Sequence, residues 1–199
     1  MTSPQSETLL YPLFLKLVDK KVLLVGGSTT AESKLKALLE AGAHVILVAP
    51  TITVEQRHPN LTLVERPFKP EDLDDVFYVI TAAPPLVNQE VSREAEKRHL
   101  FVNAVDDKEN ATAYLGSVIR QEGFTVALSS EGASPALTKL LRQGFESLLD
   151  PDLARWRKAS EKARIKWNTD KSPHRKRVPQ LLDAINALYF PKQPPEQSS

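Results

Sequence analysis

The sequence predicts an α/β protein built on a parallel sheet with helices on both faces, followed by a segment of different grammar. Three observations predict it. Short apolar runs rich in β-branched residues alternate with amphipathic helical patterns over the first 112 residues, and parallel strands need crossovers, which are usually helices. The first run stops at a glycine pair that opens a helix, inside a stretch the size of one βαβ unit. After residue 112 the alternation gives way to a hairpin pattern and then to helices.

Lys21-Val22-Leu23-Leu24-Val25 ends at Gly26-Gly27 and reads as a buried strand with a tight turn. Ala31, Leu35, Leu38 and Leu39 then recur at helical spacing until Gly42 stops the pattern. His44 to Val48 supplies a second strand, broken by Pro50. Leu61 to Glu65 and Phe77 to Thr81 read as the third and fourth strands. Val87 to Arg98 is helical, with Val87, Val91 and Ala95 on one face, and Leu100 to Val105 is a fifth strand running into Asp106-Asp107. Together these make a doubly wound, Rossmann-like domain over residues 1–112.

Ala113 to Ile119 and Phe124 to Ser129 flank Gln121-Glu122-Gly123 as a hairpin, and Pro135 opens a helix carrying Leu137, Leu140, Leu141, Phe145 and Leu148. These elements form a second segment, 113–149. A helical region, 150–190, starts at Pro151, places Trp156 and Trp167 on one helix face, and ends in a short helix over Val178 to Tyr189. The Pro-, Gln- and Ser-rich tail, 191–199, is expected to be disordered.

Composition narrows the function. Among 199 residues, 26 Lys and Arg stand against 25 Asp and Glu, a net charge of +1, which argues against a nucleic-acid or membrane coat. With no Cys there is no disulfide, thiolate nucleophile or Cys-ligated metal. His44, His58, His99 and His174 are scattered without metal-ligand spacing, so no protein metal site is expected. A polar N-terminus and the lack of an apolar run of about 20 residues point to a cytoplasmic protein.

The chemistry concentrates at strand ends. Gly26-Gly27-Ser28-Thr29-Thr30-Ala31 follows a strand and opens a helix, the position at which backbone N–H groups and the helix dipole favour a pyrophosphate. Measured against G-x-G-x-x-G/A, Gly26 and Ala31 fill the outer positions and Ser28 stands at the middle one. The alternative is an ordinary strand-to-helix turn with Thr29 or Thr30 as N-cap. The second strand ends Val48-Ala49-Pro50-Thr51 with no acid for a ribose, so NAD and NADP are not separated there.

Several segments resemble the precorrin-2 dehydrogenase and sirohydrochlorin ferrochelatase family, which also forms the N-terminal module of siroheme synthase. They are Phe14-Leu15-Lys16-Leu17, Val22 to Gly27, Ala31-Glu32-Ser33-Lys34, Leu38 to Ala43 and Val48-Ala49-Pro50. Further on, Val87-Asn88-Gln89, Val102 to Asp106 and Ala127 to Ala136 follow in the family's order through about Leu149. The resemblance implies a Rossmann domain, an intertwined dimerisation segment over 113–149 in a homodimer, and a C-terminal helical region. It implies a reaction in which NAD⁺ takes a hydride from precorrin-2 to give sirohydrochlorin; some members also insert Fe²⁺. Gly26, Gly27, Ser28, Thr29 and Thr30 would hold the pyrophosphate, Pro50 and Thr51 the adenosine side, and Ala82 the edge of the nicotinamide pocket. Asp106 falls at the family's catalytic aspartate, at the carboxyl end of a parallel strand, where open α/β sheets bind ligands. Its alternative role is to cap a turn with Asp107 and Lys108. Ser130 aligns with a serine of the tetrapyrrole site, while Ser134 reads as the N-cap of the helix that Pro135 opens.

The chain departs from the family at Ser28, where a third glycine is common, and at Ser33-Lys34, where Arg-Lys is common. Ala82-Ala83-Pro84-Pro85 replaces a Thr followed by acids, and Gly116 replaces a proline near the hairpin. A non-catalytic nucleotide- or tetrapyrrole-binding module is therefore the rival reading. Between Pro151 and Arg177 ten basic residues face three acids. A solvated helix face accounts for most of them, leaving one or two to meet a polycarboxylate substrate.

Overall fold

The computed structural model describes residues 9–131, 134–149 and 151–190. They form two compact units, residues 9–115 with 129–131, and residues 116–128 with 134–149 and 151–190. Gly132-Ala133 and the tail expected to be disordered, 191–199, lie outside the described residues.

The first unit is a five-stranded parallel sheet in the order β3-β2-β1-β4-β5, made of β1 (Lys21–Val25), β2 (His44–Ala49), β3 (Leu61–Glu65), β4 (Tyr78–Thr81) and β5 (Val102–Ala104). Strand side chains alternate between faces, and that alternation makes two cores. Val22 and Leu24 point to the side of α1 (Thr29–Glu40), where they pack with Leu35, Leu38, Val45 and Leu47. Leu23 and Val25 point the other way, toward α2 (Pro85–Glu96), and meet Val79, Val91, Ala95 and Val102. Leu23, Leu24, Leu35 and Leu47 are all fully buried, and each contributes about 1.5–3 kcal/mol relative to exposure. The sheet is thus covered on both faces, as the nearly continuous apolar strands require.

Order reverses between β1 and β4. From β1 the chain moves outward through β2 to β3, then returns across the sheet to β4 on the other side. That reversal leaves a crevice at the carboxyl ends of β1 and β4, the usual ligand position in open α/β sheets.

Several expected boundaries move. The fourth strand begins at Tyr78, and α2 starts at Pro85 with Pro84 as N-cap; proline suits a first helical turn, whose N–H has no helical partner. The fifth strand is also shorter, Val102–Ala104, and Thr112 and Ala113 both donate their N–H groups to the carbonyl of Val102 at 2.9 Å. Ala113 therefore belongs to a bend beside β5, not to the hairpin.

The second unit holds the antiparallel hairpin of β6 (Ser117–Gln121) and β7 (Phe124–Leu128), with α3 (Pro135–Leu148), α4 (Leu153–Thr169) and α5 (His174–Asn186). Ser134 caps α3 as expected, its Oγ accepting from the N–H of Leu137 at 3.4 Å. The last helix begins four residues before Val178 and carries Pro179 inside it. Two clamps join α4 and α5. The Trp156 indole N–H donates to the Tyr189 hydroxyl at 2.8 Å, which donates to Asp152 at 2.7 Å. At the other end the Arg177 guanidinium lies 5.8 Å from the centre of the Trp167 ring. Both tryptophans do share the face of α4 that meets α5.

Candidate functional site

The crevice is built from backbone. Gly26 ends β1 with φ +125, a conformation that L side chains rarely adopt, and a Cβ there would collide with the carbonyl of Ala82 at the end of β4. Its N–H donates to Val48 at 2.9 Å, and that of Ala82 donates to Val25 at 2.8 Å, so β2, β1 and β4 are locked together at their ends. Gly27 is needed for a second reason: a Cβ there would strike the carbonyl of Thr51. The loop after β2 thus lies directly on the glycine turn.

Thr53 fastens that loop. Its N–H and its hydroxyl both donate to the carbonyl of Gly27, at 3.1 and 2.7 Å. Sequence reasoning missed this residue, since nothing local marks a threonine as the partner of a glycine 26 positions away.

At the start of α1 the N-cap is Ser28, correcting the expectation of Thr29 or Thr30. Its extended backbone lets its carbonyl accept from Glu32 at 3.1 Å, while its side chain makes no cap bond. Thr29, Thr30 and Ala31 donate their N–H groups to no backbone carbonyl among the described residues. Three donors and a hydroxyl therefore stand at the positive end of a twelve-residue helix, a fit for a phosphate oxygen. Ser28, Thr29, Thr30, Pro50 and Thr51 are exposed, and Ala82 is half-buried.

On the β4 side, Asn88 is a second residue that sequence reasoning left without a role. It is buried, and its Oδ1 accepts from the Thr81 hydroxyl at 2.6 Å and from the N–H of Ala83 at 3.2 Å. This brace ties Thr81 and Ala83, on either side of Ala82, to α2. The segment Val87-Asn88-Gln89 was the available signal.

Asp106 follows β5, whose Ala104 is in register with Thr81 of β4. The N–H of Val105 donates to Thr81 at 2.9 Å, so Asp106 and Ala82 sit at the ends of adjacent strands. Asp106 is exposed, takes a left-handed backbone with φ +57, and bonds to no other described residue. Asp107 carries the turn instead, its carboxylate accepting from the N–H of Asn110 at 3.3 Å and from the Asn110 amide at 2.9 and 3.0 Å. Aspartate tolerates this left-handed conformation better than most residues do.

Ser130 is half-buried, one residue beyond Ser129, whose Oγ accepts from the N–H of Glu131 at 3.1 Å. Gly132-Ala133, which complete that segment, are outside the described residues. Among the described residues no group of three or more His, Asp or Glu is gathered to hold a metal ion, and no helix is long and apolar enough to cross a membrane.

A family model whose description reads "Putative NAD(P)-binding" matches residues 13–117, more than half of the chain. The siroheme synthase of Zymomonas mobilis subsp. mobilis is 38% identical over 149 residues, covering 72% of this chain and 32% of that protein. The siroheme synthase of Salmonella schwarzengrund is 43% identical over 147 residues, covering 71% and 32%. The chain thus spans about a third of the length of these curated relatives. Among solved structures, "SirC, precorrin-2 dehydrogenase" matches with a TM-score of 0.70 and 25% identity, over 88% of this chain and 89% of that one.

Proposed function

The chain belongs to the NAD(P)-binding family of the precorrin-2 dehydrogenases and siroheme synthases, and from that premise we propose that it oxidises precorrin-2 to sirohydrochlorin in the cytoplasm with NAD⁺ as oxidant. One observation supports the catalytic reading above the rival of a silent binding module: Asp106 holds an exposed carboxylate bonded to no other described residue at the end of β5, while Asp107 does the structural work of the turn.

In the proposed reaction the bound nicotinamide is the acceptor of a hydride from the macrocycle. The chain's own residues do the rest. The N–H groups of Thr29, Thr30 and Ala31 and the Ser28 hydroxyl bind the pyrophosphate, Pro50 and Thr51 flank the adenosine, and Ala82 backs the nicotinamide. Loss of a hydride leaves a cation that must shed a proton, and Asp106 takes it, a carboxylate base within reach of the neighbouring strand end. Its exposure lets that proton pass to water. The same group suits the removal of pyrrole protons if Fe²⁺ is a further substrate. Ser130 is proposed to contact the tetrapyrrole.

NAD as the oxidant is proposed from the family resemblance. Arg57, the one arginine of the loop after β2, turns one guanidinium nitrogen to the carbonyls of Glu55 and Gln56 at 3.4 and 3.3 Å, and titration of NAD against NADP tests the choice.

A homodimer through the 113–149 segment is supported by α3. Leu137, Leu140, Leu141, Phe145 and Leu148 are 46–78% exposed on this helix, an apolar stripe of the kind that marks an interface.

Asp106→Asn tests the catalytic role. It is expected to lower kcat about 10²–10⁴-fold, the usual contribution of a general base, with the Kd for NAD unchanged. Turnover at the parent rate removes Asp106 from the reaction.

A further inference from the structure

A groove of about 630 Å³ runs between α4 and α5 in the second unit. Its floor is small and apolar, with Ala159, Ala163 and Ala184 beside Trp167. Small residues at these positions leave the space between the facing side chains unfilled. Along its α4 rim stand Lys158, Lys162 and Lys166. Spaced four residues apart, they set three ammonium groups about 6 Å from one another along the helix.

None of the three pairs with a carboxylate among the described residues, although other cations of the same region do: Arg155 bonds Asp152 at 3.0 Å and Arg157 lies 3.7 Å from Glu161. Like charges at this spacing destabilise a helix, and an anion set along the row relieves them. Asp183 stands on the α5 side, and Asp170 caps α4 four residues beyond Lys166, at the end of the lysine row. Carboxylates are therefore drawn to the stretch of α4 from Lys158 to Lys166.

A flat apolar floor, an indole for stacking and a row of three cations together describe a ligand with a planar conjugated body and several carboxylates on its edge. We propose that this groove binds the peripheral carboxylates and one ring face of a polycarboxylated tetrapyrrole, an inference that rests on the substrate class proposed above. The lysines supply charge-assisted hydrogen bonds to acetate and propionate groups, and Trp167 stacks on a pyrrole. Lysine suits this task because its flexible point charge adapts to carboxylates at several positions around a ring.

The test uses the full chain and uroporphyrin I, a planar octacarboxylate, titrated without nucleotide and followed by the emission anisotropy of the porphyrin. Binding is expected, weakening as salt is raised from low to physiological strength. The triple variant Lys158→Gln, Lys162→Gln, Lys166→Gln is expected to raise the Kd about tenfold or more, the sum of three modest ion pairs. A charge-matched control, Lys171→Gln, Arg175→Gln, Lys176→Gln, removes three cations that do not line the groove and is expected to change the Kd less than about twofold. Ala163→Glu, which sets a carboxylate on the floor, is expected to abolish binding while circular dichroism stays that of the parent. Equal Kd values for parent and groove variants, or an equal loss in the control, overturn the proposal. NADH formation from NAD⁺ and precorrin-2 is read separately. Turnover with no lysine-dependent uroporphyrin binding removes the groove and leaves the dehydrogenase standing; lysine-dependent binding with no turnover does the reverse.

Discussion

Thr53 donates two hydrogen bonds to one carbonyl, that of Gly27, and so ties the loop proposed to flank the adenosine to the turn proposed to hold the pyrophosphate. Thr53→Val keeps the shape and the N–H bond but removes the hydroxyl donor. One such bond is worth about 0.5–1.5 kcal/mol, so the KM for NAD⁺ is expected to rise roughly two- to tenfold with kcat unchanged, measured by steady-state NADH formation. An equal fall in kcat with no change in KM contradicts a positioning role. At this scale the sequence was legible where chemistry is local. Gly26 and Gly27 were readable as a turn and Asp106 as a strand-end carboxylate. The division of labour between Asp106 and Asp107 was not, because it depends on which carboxylate faces Asn110. Nor was the Thr53 bond, which forms only once β2 lies beside β1.

Among the elements, the strands were the most readable, since burial on both faces leaves a continuous apolar signature at β1, β2 and β4. Boundaries shifted where backbone pairing overrode composition, as at Ala113, or where proline started a helix early, as at Pro85. One connection has a pH signature. The short 3₁₀ turn Pro70–Leu73 plants the fully buried Leu73 in the core beneath α2, and Asp72 within it accepts from the Arg66 guanidinium at 2.8 Å and from the N–H of Lys69 at 2.8 Å. Burial pushes the Asp72 carboxyl up, but the Arg66 bond, the Lys69 N–H and their charges outweigh it and hold it below the usual aspartate range. A carboxylate depressed in the folded state contributes stability that is present above the unfolded pKa of about 3.9 and is lost as pH falls through the lower, folded value. Arg66→Gln is therefore expected to be less stable than the parent in urea at neutral pH, with the difference shrinking as pH falls below the ordinary aspartate range. A difference that persists unchanged in acid contradicts this account.

For the whole molecule, the switch of strand order at β1 and β4 marks where the chemistry is proposed to happen, and the segment after residue 112 is the one proposed to meet a second copy. The apolar stripe of α3 was visible in the sequence as helical spacing, but only the structure leaves it uncovered within its unit. Leu141→Glu with Phe145→Glu is expected to convert a dimer into a monomer in sedimentation equilibrium; a parent chain that sediments as a monomer at all concentrations contradicts the proposed homodimer. The groove of the second unit was half legible: the excess of basic residues was plain, whereas the alignment of Lys158, Lys162 and Lys166 over an alanine floor emerges only with α5 in place.

The central claim is that the crevice at the carboxyl ends of β1 and β4 seats a nicotinamide dinucleotide beside Asp106. Anaerobic incubation of the chain with precorrin-2 and NAD⁺ measures it most directly. The account predicts one NADH for each sirohydrochlorin formed, a rate that collapses in Asp106→Asn, and little or no product with NADP⁺; tight NAD⁺ binding without any NADH, or equal turnover in the variant, contradicts it.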